Sequence, residues 1–242
     1  MNKKKVLVAA PISSVKQYCI LDWMNHISNL SYENYDILLV DNSQSNGWHL
    51  QYKLEFPKIN FLYFNPKGLD SQAFIAACQE KFRKYAYLND YDYIMSIECD
   101  VFPPIDIIER LLSHNKPIVG GIYSWGFNEK RQPLIQVSEY FDTHFETRNL
   151  DFDEAMMFCD GSLKQVHHIG LGCLLIHRNI FKKIPFRYVE NDSNHSDSWF
   201  AFDCFLKGIN IYADTSILCR HENQSWGYQS EITKSDARIK IQ

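Results

Sequence analysis

Apolar residues in the first half of the chain come in short runs, and segments of helical spacing separate most of them. Residues 6–10 (VLVAA) form the first run, closed by Pro11. Residues 14–30 follow, with apolar marks at Tyr18, Leu21, Ile27 and Leu30. Residues 35–40 and 59–64 are further runs, and Asp41-Asn42-Ser43 ends the earlier one in a turn. Residues 71–87 place Phe74, Ala77, Cys78, Phe82 and Tyr85 roughly on one helical face. Residues 91–97 make a fourth run, which ends in Glu98 and Asp100 and then Pro103-Pro104. Runs of strand length alternating with helical segments predict βαβ units and a mostly parallel central sheet flanked by helices, an α/β fold. Ligands on such sheets gather beyond the carboxyl ends of the strands. Pro11, Asp41, Glu98 and Asp100 all stand at those ends.

The second half is less regular. Residues 117–123 (PIVGGIY) read as a strand with paired glycines. Residues 126–160 are polar and aromatic with little periodicity, and read as long loops with short strands. Residues 165–168 and 173–177 read as strands around the turn Gly170-Leu171-Gly172. A helix is expected over 198–207, ended by Gly208, then short strands at 209–213 and 217–219 and a helical or loose tail at 223–242. No repeat and no linker interrupts the chain, so one domain is expected over residues 1–242.

Composition narrows the class. A hydrophobic content of 45%, 14% of the chain being aromatic, is ample for a packed core. A net charge of −4 argues against broad nucleic-acid binding. The seven cysteines are scattered without a C-x-x-C pair, a pattern of reduced, buried thiols in a cytoplasmic protein. The apolar run after Lys3-Lys4-Lys5 is too short for a signal peptide and reads as a first strand. No segment reaches the ~18 apolar residues of a membrane span, which leaves peripheral membrane contact open.

Candidate chemistry centres on Glu98-Cys99-Asp100. In a strand, residues two apart point the same way, and paired acids at a buried end need a positive partner. Hard oxygens suit Mg²⁺ or Mn²⁺ holding a phosphate-bearing ligand. The competing reading is a solvated strand end. Asp41 suits recognition of a base or ribose, although on its residues alone an Asx turn is the stronger reading. His221 closes the last strand run and is a potential metal ligand, or a structural histidine. Asp197 opens the 198–207 helix as a general base or as a helix cap, and Ser196 is an alternative cap. His167-His168 read as a sheet pair, one side chain in and one out. Gly170 and Gly172 permit close backbone approach of a sugar or acceptor. Trp125, Trp199 and Trp226 read first as core aromatics and second as sugar-stacking rings. Neither a G-x-G-x-x-G nor a P-loop signature is present.

Taken in order, these pieces resemble the GT-A-type glycosyltransferases, in particular the inverting family-2-like branch. Val6-Leu7-Val8-Ala9-Ala10-Pro11 is similar to that family's first strand and its proline. Asp36-Ile37-Leu38-Leu39-Val40-Asp41 is similar to its second strand, ending in the acid that meets the nucleotide base. Glu98-Cys99-Asp100 stands where the family carries its D-x-D motif. Gly170-Leu171-Gly172-Cys173 is similar to its glycine-marked strand, Ser196-Asp197 stands at its E-D pair, and His221 at its metal-binding histidine. The resemblance implies a Rossmann-like nucleotide-sugar-binding half over about 1–104 and an acceptor half over about 105–222. It implies a nucleoside-diphosphate sugar donor, a UDP-sugar first, with its base and ribose at Pro11 and Asp41. Mn²⁺ or Mg²⁺ would sit on Asp100, His221 and Glu98, and Asp197 would be the base. Two departures stand out: Glu98 replaces the first aspartate, and Ser196 replaces the glutamate. The acceptor stays open among glycan, lipid-linked sugar, protein and modified base. The alternatives are a nucleotidyltransferase on a related scaffold, disfavoured by Pro11-Ile12-Ser13-Ser14 in place of a basic glycine loop, and a non-catalytic nucleotide-sugar-binding module.

Overall fold

The computed structural model describes residues 3–66, 68–125, 132–133, 135–138, 147–192 and 194–222. The first part contains strands β1 (Val6–Ile12), β2 (Tyr35–Asp41), β3 (Ile59–Tyr63), β4 (Tyr93–Ile97) and β5 (Val101–Phe102). Helices α1 (Ile20–Ser28), α2 (Leu50–Lys53) and α3 (Ser71–Leu88) connect the first four. Next come α4 (Ile107–Ser113), β6 (Ile118–Ile122), β7 (Ser124–Trp125), β8 (Gln132–Pro133), β9 (Ile135–Ser138) and β10 (Thr147–Asn149). The chain continues through α5 (Phe152–Phe158), β11 (Leu163–Val166), β12 (His168–Ile169), β13 (Cys173–His177) and α6 (Arg178–Phe181). Helix α7 (Ser196–Leu206), β14 (Ile211–Leu218) and β15 (Arg220–His221) complete it.

The main sheet has eight strands in the order β11-β14-β6-β13-β4-β1-β2-β3. Strand β1 runs parallel to β2 and β4, and β2 parallel to β3. Strand β13 is antiparallel to both of its neighbours, β4 and β6, so the sheet is mixed rather than uniformly parallel. A strand buried on both faces reads as one apolar run whatever its direction, so its own residues do not encode that direction. Along β1, Val6, Val8 and Ala10 pack with Trp23, Met24 and Ile27 of α1. Leu7 and Ala9 face the opposite layer, with Phe74, Cys78 and Phe82 of α3 and Phe200 and Cys204 of α7. The period of two along a fully apolar strand thus serves two helical layers at once.

Several elements depart from expectation in ways that shape the site. The segment 14–30 is not one helix: a 3₁₀ turn over Ser14–Lys16 precedes α1, which begins at Ile20. Ser14 N donates to Ser43 Oγ at 2.9 Å, and this contact across the strand ends holds the turn down. Lys16, expected on a helix surface, therefore stands at the carboxyl edge of the sheet. Strand β1 runs through Pro11 to Ile12, because its pairing with β4 ends at Ala9 and only β2 continues beside it. Helix α5 arises inside the region read as loop and short strands, started by a capping box of Asp151 and Glu154. The two strands expected at 209–219 are one strand, β14, irregular in register between Asp214 and Leu218. The tail at 223–242, with Trp226, lies outside the described residues. All seven cysteines are free, and six are buried. No helix among the described residues is long and apolar enough to cross a membrane.

Candidate active site

The carboxyl end of β4 is where the chain gathers its charges. Glu98 N donates to Gly172 O at 3.1 Å, and the backbone then turns so that Val101 N donates to Glu98 O at 2.9 Å. This turn delivers Asp100 to the sheet edge. Strand β5 then pairs antiparallel with β15, setting His221 opposite Val101. Two short strands more than a hundred residues apart thereby bring His221 Nε2 to 3.3 Å from Asp100 Oδ2. The other ring nitrogen, Nδ1, faces the Ser124 carbonyl at 2.5 Å and donates to it. With Nδ1 facing a carbonyl and Nε2 a carboxylate, both ring nitrogens stand beside acceptors. Burial works against a charge on the ring, but the hydrogen bond to Asp100 and the surrounding acids raise the His221 pKa above its ordinary value.

A third group completes this cluster, and the sequence did not point to it. Lys16 Nζ lies 2.5 Å from Asp100 Oδ2 and 3.4 Å from Tyr18 Oη. Burial alone would push the Asp100 carboxyl up; His221 and the Lys16 ammonium instead hold it down at about 2. The Lys16 side chain keeps 23% exposure, while Asp100 keeps 5% and His221 9%. The lysine is thus the most exposed of the three side chains.

The divalent ion expected on Asp100, His221 and Glu98 does not fit this donor set. Oδ2 of Asp100 is already paired with an ammonium group. Among the described residues, no group of three or more His, Cys, Asp or Glu is placed to hold a metal ion. Two unit charges about 4 Å apart interact by ~4 kcal/mol at an effective dielectric of about 20, and a divalent ion beside Lys16 would meet roughly twice that in repulsion.

Glu98 sits behind this cluster. Burial first, then the charges of Asp100 and Asp197, push its carboxyl up to about 7 against the pull of His221 and Lys16. A folded pKa above the unfolded value of 4.5 means that the native state holds this proton more tightly. The associated stability is complete below pH 4.5 and is lost as pH rises through about 7. Glu98→Gln is therefore expected to raise the melting temperature at about pH 8 and to change it little at about pH 4.5. Melting curves at both values check this; an equal shift at the two would show that Glu98 does not hold the proton.

Asp197 lies in the first turn of α7, with His195 at the N-cap position, so neither Ser196 nor Asp197 is the cap. An acid there is favoured by the helix dipole. Its Oδ2 is 3.4 Å from Nε2 of His168, which is 2% exposed and has no hydrogen-bond partner at Nδ1 among the described residues. Burial pushes Asp197 up, but His168, the Ser198 N–H at 2.8 Å and His195 hold it below the ordinary carboxylate range. Asp197 is therefore ionised at neutral pH. Ser196, at the position of the expected glutamate, is buried and donates from Oγ to Gln79 Oε1 of α3. One face of Trp199 is covered by the Arg187 guanidinium at 4.2 Å. The side chain of Trp125 lies outside the described residues.

Asp41 is fully buried, and both of its oxygens are engaged within the chain. Oδ1 accepts from Ser43 N at 2.9 Å; Oδ2 accepts from His49 N at 3.3 Å and contacts His49 Nδ1 at 2.7 Å. The ring of His49 stacks on Phe61 at 5.6 Å. The carboxylate thus braces the segment from 41 to 49, while half-buried Pro11 lies beside Val40 in register. Gly172 does permit a close approach, but the approaching group is the protein's own. A Cβ there would meet Tyr123 Cζ at 2.5 Å, and Gly172 N donates to Tyr123 Oη at 3.0 Å.

Neither a family model nor a curated protein matches the chain. Solved structures do. A mannosyltransferase from Pyrobaculum calidifontis, PcManGT in complex with GDP-Man and Mn²⁺, is similar with a TM-score of 0.61 at 13% identity, over 94% of this chain and 59% of that one. GalNAc-T7 with UDP, GalNAc and Mn²⁺ is similar with a TM-score of 0.58 at 12% identity, over 91% and 44% of the two chains. The fold is that of the GT-A glycosyltransferases. A197 from STIV shares 15% identity over 91% of this chain and 86% of that one, with a TM-score of 0.49. The chain spans less than two thirds of the length of either transferase. On this GT-A sheet Asp100, Lys16 and His221 form one cluster, while Asp197 pairs with His168 within electrostatic reach of Glu98.

Lys16, His168 and His49 are the residues that sequence reasoning missed. The signal for Lys16 was a lone lysine just past the first strand; a helix assignment over 14–30 hid it. His168 was read as half of an ordinary sheet pair, and only the packing of α7 on β12 shows its partner.

Proposed function

We propose that the protein is a glycosyltransferase of the inverting family-2-like kind, which moves a sugar from a nucleoside-diphosphate sugar to an acceptor hydroxyl. The observation that supports this most is one convergence at the carboxyl end of a GT-A sheet. A cationic cluster suited to a diphosphate, Lys16 with Asp100 and His221, lies in one electrostatic neighbourhood with the ionised Asp197. The donor lies across the strand ends, its base and ribose over Pro11 and the turn that Asp41 braces. The acceptor oxygen bonds to the anomeric carbon from the face opposite the diphosphate. The bond from that carbon to the diphosphate oxygen breaks, and its electron pair leaves with the diphosphate. Asp197 takes the acceptor proton, and one displacement inverts the configuration. His168 keeps Asp197 ionised and oriented. Residues 1–104 carry most of the donor site, with His221 joining it, and 105–222 the acceptor and the base. The seven free thiols accord with a reducing, cytoplasmic setting.

The Mn²⁺ or Mg²⁺ expected from the sequence is not part of this proposal, because Lys16 already pairs with the Asp100 carboxylate and no group of three or more His, Cys, Asp or Glu among the described residues is placed to hold a metal ion. The non-catalytic binding module keeps one observation in its favour: Ser196 is spent on Gln79 and offers no second acid. Thermal melting with nucleoside diphosphates tests the proposal. A ligand at about 100 times its Kd stabilises by ~2.7 kcal/mol, and a chain of this size gains roughly 2–4 °C per kcal/mol. One base among UDP, GDP, ADP, CDP and dTDP is expected to raise the melting temperature by about 5–10 °C. No response to any of them, with or without Mn²⁺, would sink the reading.

A further inference from the structure

We propose that Lys16 is the resident cation of the diphosphate site, and that the protein binds its nucleoside diphosphate without a divalent metal. This rests on the nucleotide-sugar reading above and adds a residue that the reading from sequence did not contain. The geometry carries it. Asp100 stands where a D-x-D motif would offer its carboxylate to a metal, and Oδ2 of that carboxylate is paired with Lys16 Nζ at 2.5 Å. His221 Nε2 lies 3.3 Å from the same oxygen. The carboxylate is sealed at 5% exposure, whereas the lysine above it keeps 23%. An anion arriving at the strand ends therefore meets an ammonium group with one hydrogen left to donate. An ammonium has three donors, and Asp100 and Tyr18 account for two. Its position is fixed from below: the 3₁₀ turn that carries it is tied to Ser43, and Cys19 Sγ donates to Cys99 O beside Asp100. A lysine point charge is a common binder of terminal phosphates.

The discriminating experiment is calorimetric titration of the full chain, freed of metal with a chelator. The titrants are the nucleoside diphosphate that stabilises it, the matching monophosphate, and Mn²⁺ alone. The wild type is expected to bind the diphosphate with chelator present, with an affinity that added Mn²⁺ changes by less than about threefold. Lys16→Met is expected to lose about tenfold or more in diphosphate affinity and little in monophosphate affinity, since a charge-assisted contact to the terminal phosphate is removed. Lys16→Arg is expected to keep most of it. If Lys16→Met does not fold, the neutral pair Lys16→Met with Asp100→Asn takes its place, with the same loss expected. Diphosphate binding that appears only with Mn²⁺ overturns the inference, as does a Lys16→Met protein that binds metal-free diphosphate like the wild type. Absence of binding to every nucleotide, with and without Mn²⁺, instead overturns the nucleotide-sugar reading itself.

Discussion

Asp197→Asn is expected to lower the rate of sugar transfer by about a thousandfold, within the 10²–10⁴ range of a positioned general base. The substitution is nearly isosteric, and the amide oxygen can keep one of the two contacts of the carboxylate, to His168 at 3.4 Å or from Ser198 N at 2.8 Å. Helix α7 and the packing of its buried Phe200 should therefore persist. What disappears is the capacity to accept the acceptor's proton. The signature is a fall in kcat with nucleotide affinity unchanged, read by steady-state kinetics and by calorimetry on the same preparation. A variant that transfers sugar at the wild-type rate would show that Asp197 is not the base. His168 acts through Asp197 rather than on the substrate in this account.

Asp100→Ala is expected to be the most destabilising single change at the site. It leaves Lys16 and His221 without the carboxylate that both face. Breaking a buried pair by removing one partner costs about 3–5 kcal/mol, and the 23% exposure of Lys16 places the cost near the lower figure. For a chain of this size that corresponds to a fall of roughly 6–12 °C in melting temperature. Replacing both partners, Asp100→Asn with Lys16→Met, is expected to recover much of the loss, because no charge is then left unpaired. The effect also has a pH signature. The folded Asp100 carboxyl lies at about 2 against 3.8 in the unfolded chain, so its stabilisation is present above pH 3.8 and lost as pH falls through about 2. The gap between wild type and Asp100→Ala should therefore narrow on acidification. Equal melting temperatures for the two at neutral pH would show that the pair does not form in solution.

Much of the architecture was legible. The alternation of apolar runs and helical segments over residues 6–97 identifies β1 to β4 and α3 nearly to the residue, since a strand buried on both faces and an amphipathic helix have different periods. Helix α7 was placed two residues late, and those two residues carry Ser196 and Asp197. The break between Lys16 and Ile20 was hidden, because helical spacing continues across it and only the contacts to Ser43 and Asp100 interrupt the helix. The direction of β13 was hidden for the same kind of reason: it follows from neighbours, not from composition.

The sequence by itself determined which residues stand at the strand ends: Pro11, Asp41, and Glu98 with Asp100 close the first, second and fourth apolar runs. It also supplied the glycine turn, the acid at the start of α7 and the late histidine, each as a residue type in order along the chain. Only the tertiary structure decided how they are employed. Asp41 turned inward to brace a turn, because Ser43 and His49 lie close enough to use both its oxygens. Asp100 acquired a lysine and a histidine, because a 3₁₀ turn and a two-strand pairing deliver them from opposite ends of the chain. Local sequence encodes period and end-points, but the sign and placement of charge around a buried carboxylate depend on which distant segments pack against it.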